Sequence, residues 1–222
     1  MATPILSVII PNRNSPFLAK TIEDVLKNAG CDVEVIINVD EMWSSDLVND
    51  PRVTYLHPAP PIGLRGGVNA CARIARGKYL MKCDDHVAFG KDFGKILIEN
   101  HFSDRWVQIP RRYSLDAENW CIEKREDNKY PVDYMFTDFP RKGKKNDDGT
   151  HGVVWKQRRD ERSDPKYDID ETPSIQGSCW FTSKNNFENN LHGMSEIGYG
   201  QFAQEAQELS FKTWLGGGKV VV

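Results

Sequence analysis

Three apolar, β-branched runs constrain this chain more than anything else in it. They are Ile5-Leu6-Ser7-Val8-Ile9-Ile10, Val33-Glu34-Val35-Ile36-Ile37-Asn38-Val39 and Lys78-Tyr79-Leu80-Met81-Lys82-Cys83. The runs are nearly continuous rather than alternating, which is the pattern of strands buried on both faces in a mostly parallel sheet. A helical stretch separates the second and third from the strand before each. Residues 17–28 place Leu18, Ile22, Val25 and Leu26 at helical spacing, with Gly30 set to end the helix. Residues 64–75 do the same with Val68, Cys71, Ala72 and Ile74. A short strand, Val53-Thr54-Tyr55-Leu56, precedes that second helix. Strand, helix, strand at this length is a βαβ unit, so the fold class expected is α/β, a Rossmann-like sheet flanked by helices.

The residues just beyond these strands carry the chemistry. The second run ends at Asp40-Glu41 and the third at Asp84-Asp85-His86. In open α/β sheets, ligands bind outside the carboxyl ends of the strands. Carboxylates and an imidazole at such an end suit a divalent metal, and a metal there suits a phosphate. The plain alternative is an acidic solvated loop, since short motifs often match by chance. Two independent strands ending in acids on one edge favour a site.

Beyond this half, a helix is expected over 93–100 and a strand over 105–110. Residues 111–172 are rich in charge, glycine, proline and aromatics and show no clean period. Their tip, 141–149, reads as exposed and flexible. His151 is the one histidine there with a place as a lid. Order returns with a strand over 174–181, a helix from near Lys184, a helix over 201–215, Gly216-Gly217-Gly218 and a closing strand from Lys219. The expected organisation is one domain, 1–222. Residues 1–110 form its nucleotide-binding half and 111–222 its acceptor-binding half, with a flexible 140–170 region. Because the last strand closes without a turn or tail, more protein is expected to have followed it.

The totals exclude several classes. The chain has 222 residues, and its net charge of −3 gives no global basic field for nucleic acid. No apolar run approaches the length of a membrane span, and no signal peptide opens the chain, so a cytoplasmic protein is expected. Five cysteines, with no CxxC pair, make a disulfide scaffold or a cysteine zinc site a poor reading.

Four blocks, 7–14, 33–41, 63–86 and 176–218, resemble the family-2-like glycosyltransferases of GT-A fold. Val8-Ile9-Ile10-Pro11 is similar to their opening strand, and 35–40 to their second strand with its nucleotide-contacting acid. Gly63-Leu64-Arg65-Gly66-Gly67-Val68-Asn69 is similar to the helix preceding their D-x-D motif, where Asp84-Asp85-His86 falls. The D-x-H variant of the polypeptide N-acetylgalactosaminyltransferases and some bacterial and phage relatives is a closer match. The block from Glu205 through Glu208 and Trp214 to Gly217 resembles theirs as well.

The resemblance implies sugar transfer from a nucleotide diphosphate sugar, UDP-sugar favoured, to an acceptor hydroxyl. It implies Asp84 and His86 as ligands of Mn²⁺ or Mg²⁺, the imidazole tilting the choice to Mn²⁺, with Asp85 turned away or touching ribose. Asp40 falls on the base or ribose, and Arg65 on the diphosphate, since guanidinium matches phosphate. Pro11, Arg13 and Asn69 are further nucleotide-side candidates. Gln176, Gly177 and Trp180 line the donor sugar in relatives. Glu205 and Glu208, one helical turn apart, are the candidate general bases or acceptor-positioning groups.

Two departures stand out. Ala206 occupies the place where inverting relatives carry their base, which tilts the reading toward retention of configuration, and the third metal ligand of the D-x-H relatives would lie beyond Val222. Other readings stay open: an inactive nucleotide- or glycan-binding module, or, weakly, a nucleotidyltransferase. The acceptor is open between glycan, protein, lipid-linked sugar and DNA. For DNA, the basic clusters 141–145 and 156–162 argue in favour, and the acids Asp147, Asp148, Asp160 and Glu161 among them argue against.

Overall fold

The structure is a computed structural model that describes residues 3–124, 131–138, 151–162, 169–199 and 204–222. Its elements follow the chain as β1 (Leu6–Asn12), α1 (Leu18–Asn28), β2 (Val33–Val39), β3 (Val53–Leu56), α2 (Gly63–Ile74), β4 (Tyr79–Cys83), α3 (Phe93–Glu99) and β5 (Trp106–Gln108). Short pieces come next: β6 (Leu115–Asp116), β7 (Cys121–Ile122), β8 (Met135–Asp138), β9 (His151–Val154) and α4 (Lys156–Glu161). The chain closes with β10 (Cys179–Ser183), a π-helical turn (Asn186–Asn190), α5 (Glu205–Leu215) and β11 (Lys219–Val221).

Seven strands form the central sheet in the order β11-β5-β10-β4-β1-β2-β3. The pairings β1–β2, β1–β4, β2–β3 and β5–β11 are parallel, and β10 runs antiparallel to both β4 and β5. The α/β class and the mostly parallel sheet are as the apolar runs require. Every residue of β2 and β4 is buried. One apolar layer packs α1 and α3 against Val8, Ile10, Val35 and Met81; the other packs α2, α5 and Trp180 against Ile9, Ile36 and Leu80. Cys71, Cys83 and Cys179 are buried as small core residues, and all five cysteines are free thiols.

One expectation needs correction, and two others are filled in. The strand expected over 174–181 begins only at Cys179. Ahead of it, the Gln176 side chain accepts the Ser178 N–H at 3.0 Å, a local bond that competes with strand pairing. The helix expected from near Lys184 starts there and continues as a π-helical turn over Asn186–Asn190. The 140–170 stretch contains the hairpin partner β9 and the helix α4, held by Arg158 and Arg162 on Asp170 at 2.9 and 3.0 Å. The tip expected at 141–149 lies outside the described residues.

Candidate active site

The sheet brings the ends of β1, β2 and β4 side by side, because β1 pairs with both neighbours in parallel register. Above that edge lies a cavity of about 630 Å³. Pro11, Arg13, Asp40, Asp84, Asp85, His86, Gln176, Gly177 and Glu205 all line it, so nine of the expected residues, spread over five parts of the chain, converge.

Each is held by its local structure. Asp40 is nearly buried, and its Oδ1 accepts the Ile62 and Gly63 N–H groups at 2.9 and 3.1 Å. It therefore satisfies two of the open amides at the start of α2. Gly63 is needed there, because the turn into the helix has φ +68°. Asp85 accepts from Asn12 Nδ2 at 2.8 Å and meets His86 Nδ1 at 2.9 Å. Donating that hydrogen bond to Asp85 raises the His86 pKa above its ordinary value, against the opposing pull of partial burial. Arg13 is exposed and forms an ion pair with Glu41.

The centre of the site is a residue that no sequence motif marks. Lys82, on β4, is 1% exposed and donates to Asp84 Oδ1 at 2.7 Å and to the Gly177 carbonyl at 2.8 Å. Its Nζ is also 3.4 Å from Glu205 Oε2. Burial alone would lower its pKa; Glu205 and Asp84 override this and hold it above the ordinary lysine range. Directly across the sheet from Lys82 stands Trp180, whose indole Nε1 donates to Glu205 Oε1 at 2.8 Å. Both oxygens of Glu205 are thus engaged. A lysine within an otherwise apolar strand is the available signal, since a charge in a two-sided buried strand demands partners. Asn38 is a second residue missing from the expected set. It lines the cavity, is fully buried, and neither polar atom of its amide has a partner among the described residues.

Four expected site residues lie away from the cavity. Arg65, expected on the diphosphate, is 1% exposed and forms a buried ion pair with Glu208. It also donates to the Ser195 carbonyl at 3.1 Å and lies over the Tyr199 ring at 4.2 Å. Glu208 further binds Lys212 at 2.8 Å and the Ser195 N–H at 2.9 Å. Burial opposes its charge, but Lys212 and Arg65 outweigh this and lower its pKa. Arg65 and Glu208 fasten α2 to α5. Asn69 bonds Met194 and Glu196 and so orders the 194–196 loop. Trp180 is fully buried and stacked on Phe187, reaching the site only through its indole N–H.

The donors at the end of β4 are a partial set for a divalent cation. Carboxylate oxygen and imidazole nitrogen are suitable ligands for Mn²⁺ or Mg²⁺. Only Oδ1 of Asp84 is hydrogen-bonded among the described residues. Yet no group of three or more His, Cys, Asp or Glu among the described residues is arranged to hold a metal alone. A cation held by these two donor types would need its remaining ligands from elsewhere.

The profile of glycosyl transferase family 2 matches residues 7–191. The chain belongs to glycosyl transferase family 2. No curated protein is similar enough in sequence to count as a relative. Among solved structures, this family-2 chain is similar to GalNAc-T7 crystallised with UDP, GalNAc and Mn²⁺, at TM-score 0.72 and 18% identity, over 98% of this chain and 42% of that one. It is also similar to residues 1–349 of Staphylococcus aureus TarS, at TM-score 0.57 and 14% identity, over 98% of this chain and 57% of that one. These likenesses show the GT-A fold. The chain thus spans roughly half the length of the structures it matches. Among the described residues, no helix is long and apolar enough to cross a membrane.

Proposed function

We propose that this family-2 chain transfers a sugar from a nucleoside diphosphate sugar, a UDP-sugar first among them, to an acceptor hydroxyl. The observation that carries the reading is the convergence of Asp40, Asp84, Asp85, His86 and Glu205 on one cavity at the carboxyl edge of the sheet. The UDP and Mn²⁺ in the similar GalNAc-T7 structure support the choice of donor and metal.

Asp84 and His86 would hold Mn²⁺ or Mg²⁺, which when bound supplies Lewis-acid stabilisation of the diphosphate leaving group. The protein's own groups do the rest. Asp40, fixed on the first turn of α2, presents its second oxygen to the base or ribose. Pro11 and Arg13 line the nucleotide side, and Gln176 and Gly177 the sugar side. Asp85 is held by Asn12 and keeps His86 oriented through Nδ1.

The state of the two glutamates favours retention. Glu205 reaches the cavity but has both oxygens engaged by Trp180 and Lys82, and Glu208 is locked with Arg65. Neither is set to take a proton from an acceptor, as an inverting displacement requires. The same engagement suits the second reading, a module that binds the nucleotide without turning it over. A donor screen decides between them: UDP-, GDP- and dTDP-sugars, with and without Mn²⁺, followed by nucleotide release. Release that requires the metal supports transfer. No release with any donor, while UDP still binds, leaves the binding module. The anomeric configuration of the product, read by NMR, tests retention.

The acceptor surface is assigned to residues 111–175. In the described part of that region, Arg158 and Arg162 are committed to Asp170 and Arg159 to Asp160. This internal pairing, which leaves little free positive charge, favours a glycan or protein hydroxyl over DNA. The 141–145 cluster lies outside the described residues.

A further inference from the structure

We propose that Lys82 is a positioning residue whose fixed hold on Asp84 makes a divalent cation bind there only together with a nucleoside diphosphate. The inference rests on the reading of Asp84 as a metal ligand. It goes further by assigning the order of assembly to one ammonium group.

The geometry makes Lys82 a fixed charge. An ammonium has three N–H donors, and Lys82 meets three acceptors: Asp84 Oδ1 at 2.7 Å, the Gly177 carbonyl at 2.8 Å and Glu205 Oε2 at 3.4 Å. Those acceptors belong to the end of β4, the loop before β10 and the first turn of α5. The side chain is 1% exposed at the floor of the cavity, and swinging it toward a phosphate would break contacts on three elements. A dication on Asp84 must therefore share one carboxylate with a permanent positive charge. At separations of a few ångströms such repulsion is a large factor in affinity even at high effective dielectric.

The neighbouring carboxylates are already committed. Asp85 is engaged by Asn12 and His86, and Glu205 is itself bound to Lys82 and Trp180. No third protein ligand stands by among the described residues. A diphosphate changes both terms, because it brings negative charge that offsets Lys82 and oxygens that complete the coordination. The ligand this site accepts is thus a divalent cation already paired with a nucleoside diphosphate, and the bare ion is a poor one.

The test is a Mn²⁺ titration followed by the electron paramagnetic resonance signal of free Mn²⁺, with and without UDP, corrected for Mn²⁺ bound by UDP alone. The proteins are wild type, Lys82→Met, Lys82→Arg and the double variant Lys82→Met/Glu205→Gln. The double variant keeps the site's net charge and avoids an uncompensated buried carboxylate at Glu205. Wild type is expected to bind Mn²⁺ at least tenfold more tightly with UDP than without. Both Met variants are expected to bind Mn²⁺ alone at least tenfold more tightly than wild type, and Lys82→Arg to restore the wild-type preference. A purely structural lysine would not give tighter metal binding on removal. Wild type binding Mn²⁺ equally well with and without UDP overturns the proposal, as does unchanged or weaker Mn²⁺ binding in a folded Met variant. Absence of Mn²⁺ binding by wild type even with UDP refutes the metal reading itself, a separate outcome.

Discussion

Replacing Arg65 with methionine separates two roles that the sequence motif alone confounds. In the structure, Arg65 is buried against Glu208, and both side chains are under 5% exposed. Removing one partner of a buried pair strands the other charge, which typically costs about 3–5 kcal/mol. Glu208 keeps Lys212 at 2.8 Å and the Ser195 N–H at 2.9 Å, so the lower end, about 3 kcal/mol, applies here. For a chain of this size, that is a fall in Tm of about 6–12 °C. The double variant Arg65→Met/Glu208→Leu leaves no stranded carboxylate and should recover part of the loss, giving a coupling energy of about 1–3 kcal/mol in a double-mutant cycle. Urea unfolding supplies the free energies, and calorimetric titration with UDP supplies the second readout. Because Arg65 does not line the cavity, UDP affinity of the folded variant should stay within about threefold of wild type, under about 1 kcal/mol. A variant of wild-type stability that has lost UDP binding by tenfold or more would refute this reasoning and return Arg65 to the diphosphate.

Three further expectations rest on other contacts. Glu34 accepts from Ser7 Oγ at 2.7 Å and from Arg76, and these bonds lower its pKa although burial opposes them. A lowered carboxylate stabilises the fold above its unfolded pKa of about 4.3 and loses that contribution as pH falls through the folded value. Glu34→Gln should therefore lower Tm at pH 7, and the gap should close in melts recorded below about pH 4. Trp180→Phe keeps the stack on Phe187 but removes the 2.8 Å bond to Glu205. A loss of about 1.5–3 kcal/mol in urea unfolding is expected, the usual worth of a hydrogen bond to a charged group. Gly77→Ala would place a Cβ 2.7 Å from the Ser7 backbone nitrogen, so thermal melts should show a loss of about 2 kcal/mol or more from forced backbone movement.

The legible parts of this fold are those that sequence periodicity encodes locally. β1, β2 and β4 show themselves as continuous apolar runs because both of their faces are covered, and α1 and α2 through spaced apolar residues. The acids at the strand ends are readable for the same reason: once strands are known to be parallel, their carboxyl ends share an edge. Pairings across the chain are not readable. The Arg65–Glu208 pair joins residues 143 positions apart, and nothing local to either distinguishes a buried partner from a phosphate ligand. Lys82 is hidden for a related reason, since two of its three partners lie on α5 and on the loop before β10. Asn69 is ambiguous in sequence because an amide on a helix serves loop carbonyls as readily as a ribose.

The position of β10 has a consequence for how the chain is made. β5 has only β10 and β11 as neighbours in the sheet, and β4 pairs with β1 on one side and β10 on the other. While the polypeptide is emerging from the ribosome, the first 110 residues can assemble β3-β2-β1-β4, but β4 then carries a bare edge and β5 has nothing to join. Such an edge is a template for pairing with another chain. The nascent protein must carry it until roughly seventy more residues have been synthesised. A ribosome stalled in that interval should yield an aggregation-prone species, whereas completion inserts β10 as an antiparallel wedge that seals the edge and delivers Trp180 opposite Lys82 in a single event.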